Sequence, residues 1–130
     1  MNKPPITEQL NRLSGRVVHA SYKVHEALGP GLLESVYEVC LIHELTKMSI
    51  QAERQVPLPV IYDDTKLDAG FRIDVLVERQ LVVELKAVEA LTPVHQAQVL
   101  TYLKLTGFRL GLLINFNVAM LKDGIRRVIL

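Results

Sequence analysis

The sequence predicts an α/β fold in the order α-α-β-β-β-α-β-β, and three observations carry that prediction. Two stretches near the N-terminus repeat their apolar residues at the helical period. The middle of the chain alternates at the period of a strand, and a capped helix then stands between two apolar, strand-like runs. The 130 residues, 49% hydrophobic and 22% charged, have the composition of a globular chain. One domain over residues 1–130 is expected, with Met1–Pro5 a frayed start. A chain of this size buries roughly two-thirds of the surface its unfolded form exposes, enough to fold without metal or disulfide staples.

Thr7 is placed to cap the first helix, in which Leu10, Leu13, Val17, Val24 and Leu28 recur near the 3.6 period until Gly29-Pro30-Gly31 ends it. The second helix is expected from Leu32 to Met48, with Leu33, Val36/Tyr37, Cys40/Leu41, Leu45 and Met48 on one stripe. Val56, Leu58 and Val60 then alternate with Gln55, Pro57 and Pro59. The prolines mark an edge strand, because each removes a ladder donor. Tyr62–Lys66 reads as a turn, Ala69–Val77 and Leu81–Val88 as strands, and Glu78-Arg79-Gln80 as the loop between them. Thr92-Pro93 opens a helix that runs to Leu105 and stops at Gly107. Arg109–Phe116 is an apolar strand, and Gly124–Leu130 adds a short terminal one.

Several function classes are excluded or disfavoured. A single cysteine, Cys40, cannot form an internal bridge, and with no secretory leader in view a reducing, cytoplasmic setting is expected. No apolar run reaches the ~18 residues of a membrane span. A formal charge of +1 is not that of a strongly basic polyanion binder. Aromatic residues are only 5%, which disfavours a base-stacking surface for single strands.

The stretch Phe71–Val77, with its partner Leu81–Ala87, carries the chemistry. A three-residue loop centred on Arg79 sets Val77 opposite Leu81, Val75 opposite Val83 and Asp74 opposite Glu84. Strict alternation then puts Ile73, Val75, Val77, Leu81, Val83, Leu85 and Ala87 on one apolar face, and Asp74, Leu76, Val82, Glu84 and Lys86 on the other. Opposed residues of an antiparallel pair have Cβ atoms about 4.5–5.5 Å apart, where like charges repel. Two readings stand. Lys86 can offset the repulsion in a cross-strand ion-pair network, or a divalent cation can do so, and two hard carboxylates suit Mg²⁺ or Mn²⁺. An ion there can stabilise charge on a phosphate and acidify water, with Lys86 positioning the nucleophile or neutralising developing charge.

Other polar residues stand at helical spacings. Gln98 and Tyr102 share a helix face with His95 one turn earlier, either as a polar boundary row or as groups that orient a phosphate or a metal-bound water. Glu34 lies in the first turn of the second helix, before Tyr37. The helix dipole favours a carboxylate there, and it can also complete a metal shell. His25 sits near the first helix's C-terminus, where a cation is favoured, as a supporting residue.

Taken together, these residues resemble the GxxExxY proteins, on Gly31-Leu32-Leu33-Glu34-Ser35-Val36-Tyr37, the preceding Val24–Gly31 block and the later Gly111-Leu112-Leu113-Ile114-Asn115-Phe116. That family is placed in the PD-(D/E)XK nuclease-like superfamily. The resemblance implies a restriction-endonuclease-like core, a central mixed sheet of four to five strands flanked by helices. It implies further that Asp74 is the metal-binding Asp, that Glu84-Leu85-Lys86 is the (D/E)-x-K element with the Leu85 carbonyl joining the metal shell, and that Gln98–Tyr102 is a Gln-x-x-x-Tyr motif. Glu34 matches the helix acid of the branch containing recombination exonucleases. Ile73, not Pro, precedes Asp74.

The expected function is thus metal-dependent phosphodiester hydrolysis, with DNA the expected substrate. Asp74, Glu84, Lys86, Gln98 and Tyr102 are the candidate catalytic residues, Glu34, Asp74, Glu84 and Leu85 the candidate metal ligands, and His25, Tyr37 and His95 the support. Lys23, Lys104, Arg109, Lys122, Arg126 and Arg127 are candidate phosphate contacts. The rival readings are a non-catalytic nucleic-acid- or protein-binding module on the same fold, relying on a homodimer or partner for affinity, and a structural protein whose polar hairpin face is an ion-pair network.

Overall fold

The computed structural model describes residues 5–68 and 70–130. All but Pro5 of the expected frayed start lies outside the described residues, as does Ala69. Helix α1, Glu8–Leu28, begins as the sequence predicts: Thr7 Oγ1 accepts from the Leu10 N–H at 3.0 Å. Leu10, Leu13, Val17, Ala20 and Val24 are buried along it, while Leu28 is exposed. Gly29, at φ 67°, donates its N–H to the His25 carbonyl and closes the helix, in a backbone region that favours glycine.

Helix α2 covers Glu34–Lys47, two residues shorter at its start than expected, because Leu33 is extended and serves as an N-cap without a side-chain bond. Its buried stripe is Tyr37, Glu38, Leu41 and Leu45. Leu33 and Val36, expected on that stripe, are exposed instead.

Five strands form a mixed sheet in the order β1-β4-β5-β6-β7, from Ala52–Pro57, Arg72–Val77, Leu81–Lys86, Leu110–Asn115 and Ile125–Ile129. The edge position expected from the prolines holds for β1, although the strand starts earlier than Gln55 and ends on Pro57. After Pro59 the chain makes a separate hairpin, β2 (Val60–Tyr62) and β3 (Thr65–Leu67), turned through Asp63 and Asp64 at positive φ. Two strands are therefore added to the expected order, because the alternation through Val56, Leu58 and Val60 spans two strands broken by a proline.

The β4–β5 register is the predicted one over three pairs, Val75 with Val83, Leu76 with Val82 and Val77 with Leu81, but the expected Asp74–Glu84 pair lies beyond the end of the ladder. Gln80 N–H donates to the Val77 carbonyl across Glu78 and Arg79, both at positive φ, as the tight turns of hairpins require. Helix α3, Pro93–Thr106, then crosses back so that β6 lies parallel to β5. A single 3-10 turn, Leu121–Gly124, precedes antiparallel β7.

The sheet is covered on both faces. Val75, Val77, Leu81, Val83, Leu85, Leu110, Leu112 and Ile114 pack against α1 and α2, whereas Leu76, Val82 and Leu113 pack with Val99, Tyr102 and Leu103 of α3. The α3 contact is close. A Cβ on Gly111 would stand 2.7 Å from Val99 Cγ1, so only glycine lets helix and strand approach this far. No helix of the described residues is long and apolar enough to cross a membrane.

One expectation of strict alternation fails. Ile73 packs with the α3-side cluster, not with Val75 and Val77. The change of face is shared with the neighbouring strand: Arg54 and Gln55 both reach Glu38 on α2, while Val56 packs on the α3 side. Arg54 still pairs with Val75 and Val56 with Ile73, so both strands slip together at Gln55 and Asp74 and keep their register. Gln55 absorbs the slip at φ 52°, a left-handed conformation that costs a non-glycine residue about 1–2 kcal/mol.

Candidate active site

The site grows out of that slip. The ladder between β4 and β5 ends at the Val75–Val83 pair, so the next backbone groups need other partners. Carboxylates supply them. Asp74 N–H donates to Glu84 Oε1 at 3.0 Å, and Leu85 N–H donates to Asp74 Oδ2 at 2.9 Å. The two acids thus occupy the mouth where the strands part, each held by the other strand.

Their electrostatics follow from burial. Glu84 is 2% exposed, and desolvation, then the charge of Asp74, pushes its pKa up to about 9. Burial thus favours its neutral form. Asp74 is half-buried and also raised, chiefly by desolvation, opposed by the Leu85 N–H and reinforced by the charge of Glu38.

Glu38 is the residue that sequence reasoning missed. It is 6% exposed, and Gln55 Nε2 donates to its Oε1 at 2.7 Å while Arg54 Nη2 reaches its Oε2 at 3.2 Å. The same Gln55 nitrogen is 3.5 Å from Asp74 Oδ1, so one amide stands between two carboxylates. A signal existed: Glu38 falls one helical turn before Leu41 and two before Leu45, an acid within an apolar stripe, which is rare unless it is paired. Glu34, exposed and one turn earlier, lines a cleft of about 220 Å³ with Ser35, Glu38, Gln55, Asp74 and Leu85.

On the other side of the acids, Lys86 Nζ donates to Gln98 Oε1 at 3.4 Å and Gln98 Nε2 donates to the Tyr102 hydroxyl at 3.1 Å. The shared helix face expected for Gln98 and Tyr102 is therefore present. Burial, then the charges of Glu84 and Asp74, raises the Tyr102 pKa to about 12, and its hydroxyl remains a neutral donor. Among the described residues Lys86 makes no ion pair with Asp74 or Glu84. The cross-strand ion-pair network is not what the structure contains, because the acids are held by backbone N–H groups and the lysine by an amide.

The supporting residues are anchored elsewhere. His95 Nδ1 accepts from the Thr92 N–H in a capping box and does not hydrogen-bond the acids. Tyr37 is fully buried, stacks on Phe116, and holds the Gly29–Leu32 loop by donating to the Gly29 carbonyl at 2.6 Å and accepting from Leu32 N–H. His25 Nε2 lies 2.8 Å from the Val118 carbonyl and ties α1 to the segment after β6. Of the candidate phosphate contacts, Arg109 bonds the Leu130 carbonyl, Arg126 the carbonyls of Asp123 and Ile125, and Arg127 the Asn11 side chain. Lys23 lines a groove between α1 and α2, and Lys104 and Lys122 are exposed. Among the described residues these six make no hydrogen bond to the acids, Lys86, Gln98 or Tyr102.

A model of the PD-(D/E)XK nuclease superfamily matches residues 11–128. The chain belongs to that superfamily. No curated protein and no solved structure matches it. The five-stranded mixed sheet between helices is consistent with the superfamily's restriction-endonuclease-like fold. PD-(D/E)XK nucleases generally use divalent metals. Among the described residues no three His, Cys, Asp or Glu side chains are already gathered about one point. The donor chemistry fits such an ion all the same: the acids are hard oxygen ligands that meet at the open end of the hairpin.

Proposed function

We propose that this PD-(D/E)XK chain is a metal-dependent nuclease that hydrolyses phosphodiester bonds, with DNA as the substrate. The observation that carries the reading is the open end of the β4–β5 hairpin, where Asp74 and Glu84 lie side by side next to the Lys86–Gln98–Tyr102 row. Asp74, Glu84 and the Leu85 carbonyl are the groups to hold a divalent ion such as Mg²⁺ or Mn²⁺, with Glu34 and Glu38 contributing from the cleft side directly or through water. Bound there, the ion supplies Lewis acidity toward a phosphoryl oxygen and toward water.

The chain's own groups supply the rest. Lys86 carries a positive charge at the edge of the acids, where it neutralises charge gathering on the non-bridging oxygens and orients the attacking water. Gln98 and Tyr102 present an amide and a neutral hydroxyl as donors that fix a phosphate. Gln55 bridges Glu38 and Asp74 by donating to both.

A screen of single- and double-stranded DNA and RNA with Mg²⁺ or Mn²⁺ tests the reading, comparing wild type with Asp74→Ala and Lys86→Ala. Cleavage by wild type that falls at least about 100-fold in both variants is expected, the scale on which removal of one preorganised electrostatic group acts. Cleavage that persists in both overturns it. Binding without cleavage at any metal concentration assigns the chain instead to the non-catalytic module.

A further inference from the structure

Phe71 projects where the fold does not bury it. Its carbonyl accepts from Leu58 N–H at 2.9 Å, which fixes the backbone just before β4, yet its side chain is 41% exposed three residues from Asp74. The ring stands edge-on to Tyr102, with centroids 6.5 Å apart and planes at 66°. Tyr102 is itself buried and engaged by Gln98, which in turn holds Lys86. A row thus runs from a cation, through an amide and a hydroxyl, to an aromatic ring partly open to solvent. A nucleotide has the same polarity, an anionic phosphate at one end and a π-face at the other.

We propose that Phe71 is the stacking platform for a base adjoining the scissile phosphate, which makes the substrate class nucleic acid with unpaired bases at the point of cleavage. The inference rests on the hydrolytic reading above for the placement of the phosphate. A base inside a duplex already has both faces stacked, whereas a base in a single strand has a face to offer. Stacking on one ring is tolerant of sequence, because every base has a π-face. The low aromatic content is consistent with one platform and not with an extended stacking groove. Arg72, the next residue, places an exposed cation at the same strand end.

The chain contains no tryptophan, so Phe71→Trp introduces a single indole reporter. The full-length variant is titrated with a twelve-residue oligothymidylate, with an abasic deoxyribose-phosphate oligomer of the same length, and with a blunt duplex, in Ca²⁺ buffer, while dye-labelled strands report binding by anisotropy. Quenching by the oligothymidylate and not by the abasic oligomer or the duplex supports the platform. Equal quenching by the abasic oligomer, or a bound oligothymidylate that leaves the indole unquenched, overturns it. Phe71→Leu keeps apolar bulk and is expected to bind the single strand about tenfold more weakly, with no change for the duplex. A loss of the same size on both substrates also overturns the platform. Wild-type cleavage measured alongside separates the two ideas: cleavage without quenching removes the platform alone, and quenching without cleavage removes the hydrolytic reading alone.

Discussion

The two ends of the β4–β5 hairpin are made by the same strands and behave in opposite ways. Toward the turn, Val75, Leu76, Val77, Leu81, Val82 and Val83 are buried and pair in an unbroken ladder, so each backbone group is satisfied by its neighbour and each side chain by the core. Toward the mouth the ladder stops, and carboxylates from one strand accept the N–H groups of the other. The first end is built for stability. The second gives up regular pairing and holds acidic groups where water has little access, a combination that stability alone does not favour.

Substitutions at the two ends should therefore separate activity from stability. Asp74→Asn at the mouth keeps an oxygen to accept the Leu85 N–H and is expected to reduce metal-dependent cleavage by at least about 100-fold with little change in the urea midpoint. Leu81→Ala, at a fully buried position near the turn, is expected to cost about 2–5 kcal/mol while the activity of the remaining folded protein is kept. If the mouth variant unfolds and the turn variant loses cleavage, the division is wrong.

The pH dependence of stability sharpens the contrast. Glu84 has a folded pKa near 9 against an ordinary 4.5, so between those values the unfolded chain releases a proton that the folded chain keeps. Stability attributable to this group thus falls as pH rises through that window. Glu84→Gln removes the effect and is expected to exceed wild type by about 2–4 kcal/mol at pH 7, the margin widening toward pH 9, measured by chemical denaturation in chelator. A wild-type minus variant difference that does not vary between pH 5 and 8.5 contradicts the assignment. The smallest effect is expected at Gln55, whose left-handed backbone marks the border between the two ends. Gln55→Gly and Gln55→Ala both lose the amide, so the glycine variant should be more stable than the alanine one by about 1 kcal/mol, the cost of that backbone conformation. Equal stabilities would place the strain elsewhere.

Much of this was legible in the chain. The loop centred on Arg79 dictated the β4–β5 register, Thr7 and Thr92 cap the helices as their chemistry requires, and the spacing of Gln98 and Tyr102 brings their side chains into contact. What escaped was whatever depended on irregular backbone or on a neighbouring element. Alternation assumes an unbroken strand, so the face change at Ile73 could not be read from β4 alone, since β1 shares it. Pro59 lay within an alternating run and hid the start of the β2–β3 hairpin. Glu38 looked like one more helical acid until Arg54 and Gln55, from a different strand, were seen to meet it. The stripe of α2 likewise shifted away from Leu33 and Val36, because helix rotation is set by what the sheet offers to Tyr37 and Leu41.

The slip shared by β1 and β4 links two segments that are far apart along the chain. Shortening either ribbon by one residue would leave its partner a half-step out of phase, and the acids of β4 and α2 would no longer look into the same cleft. Anyone transplanting this site onto another scaffold must move both ribbons as one cassette, with the residues around Gln55 travelling alongside Asp74.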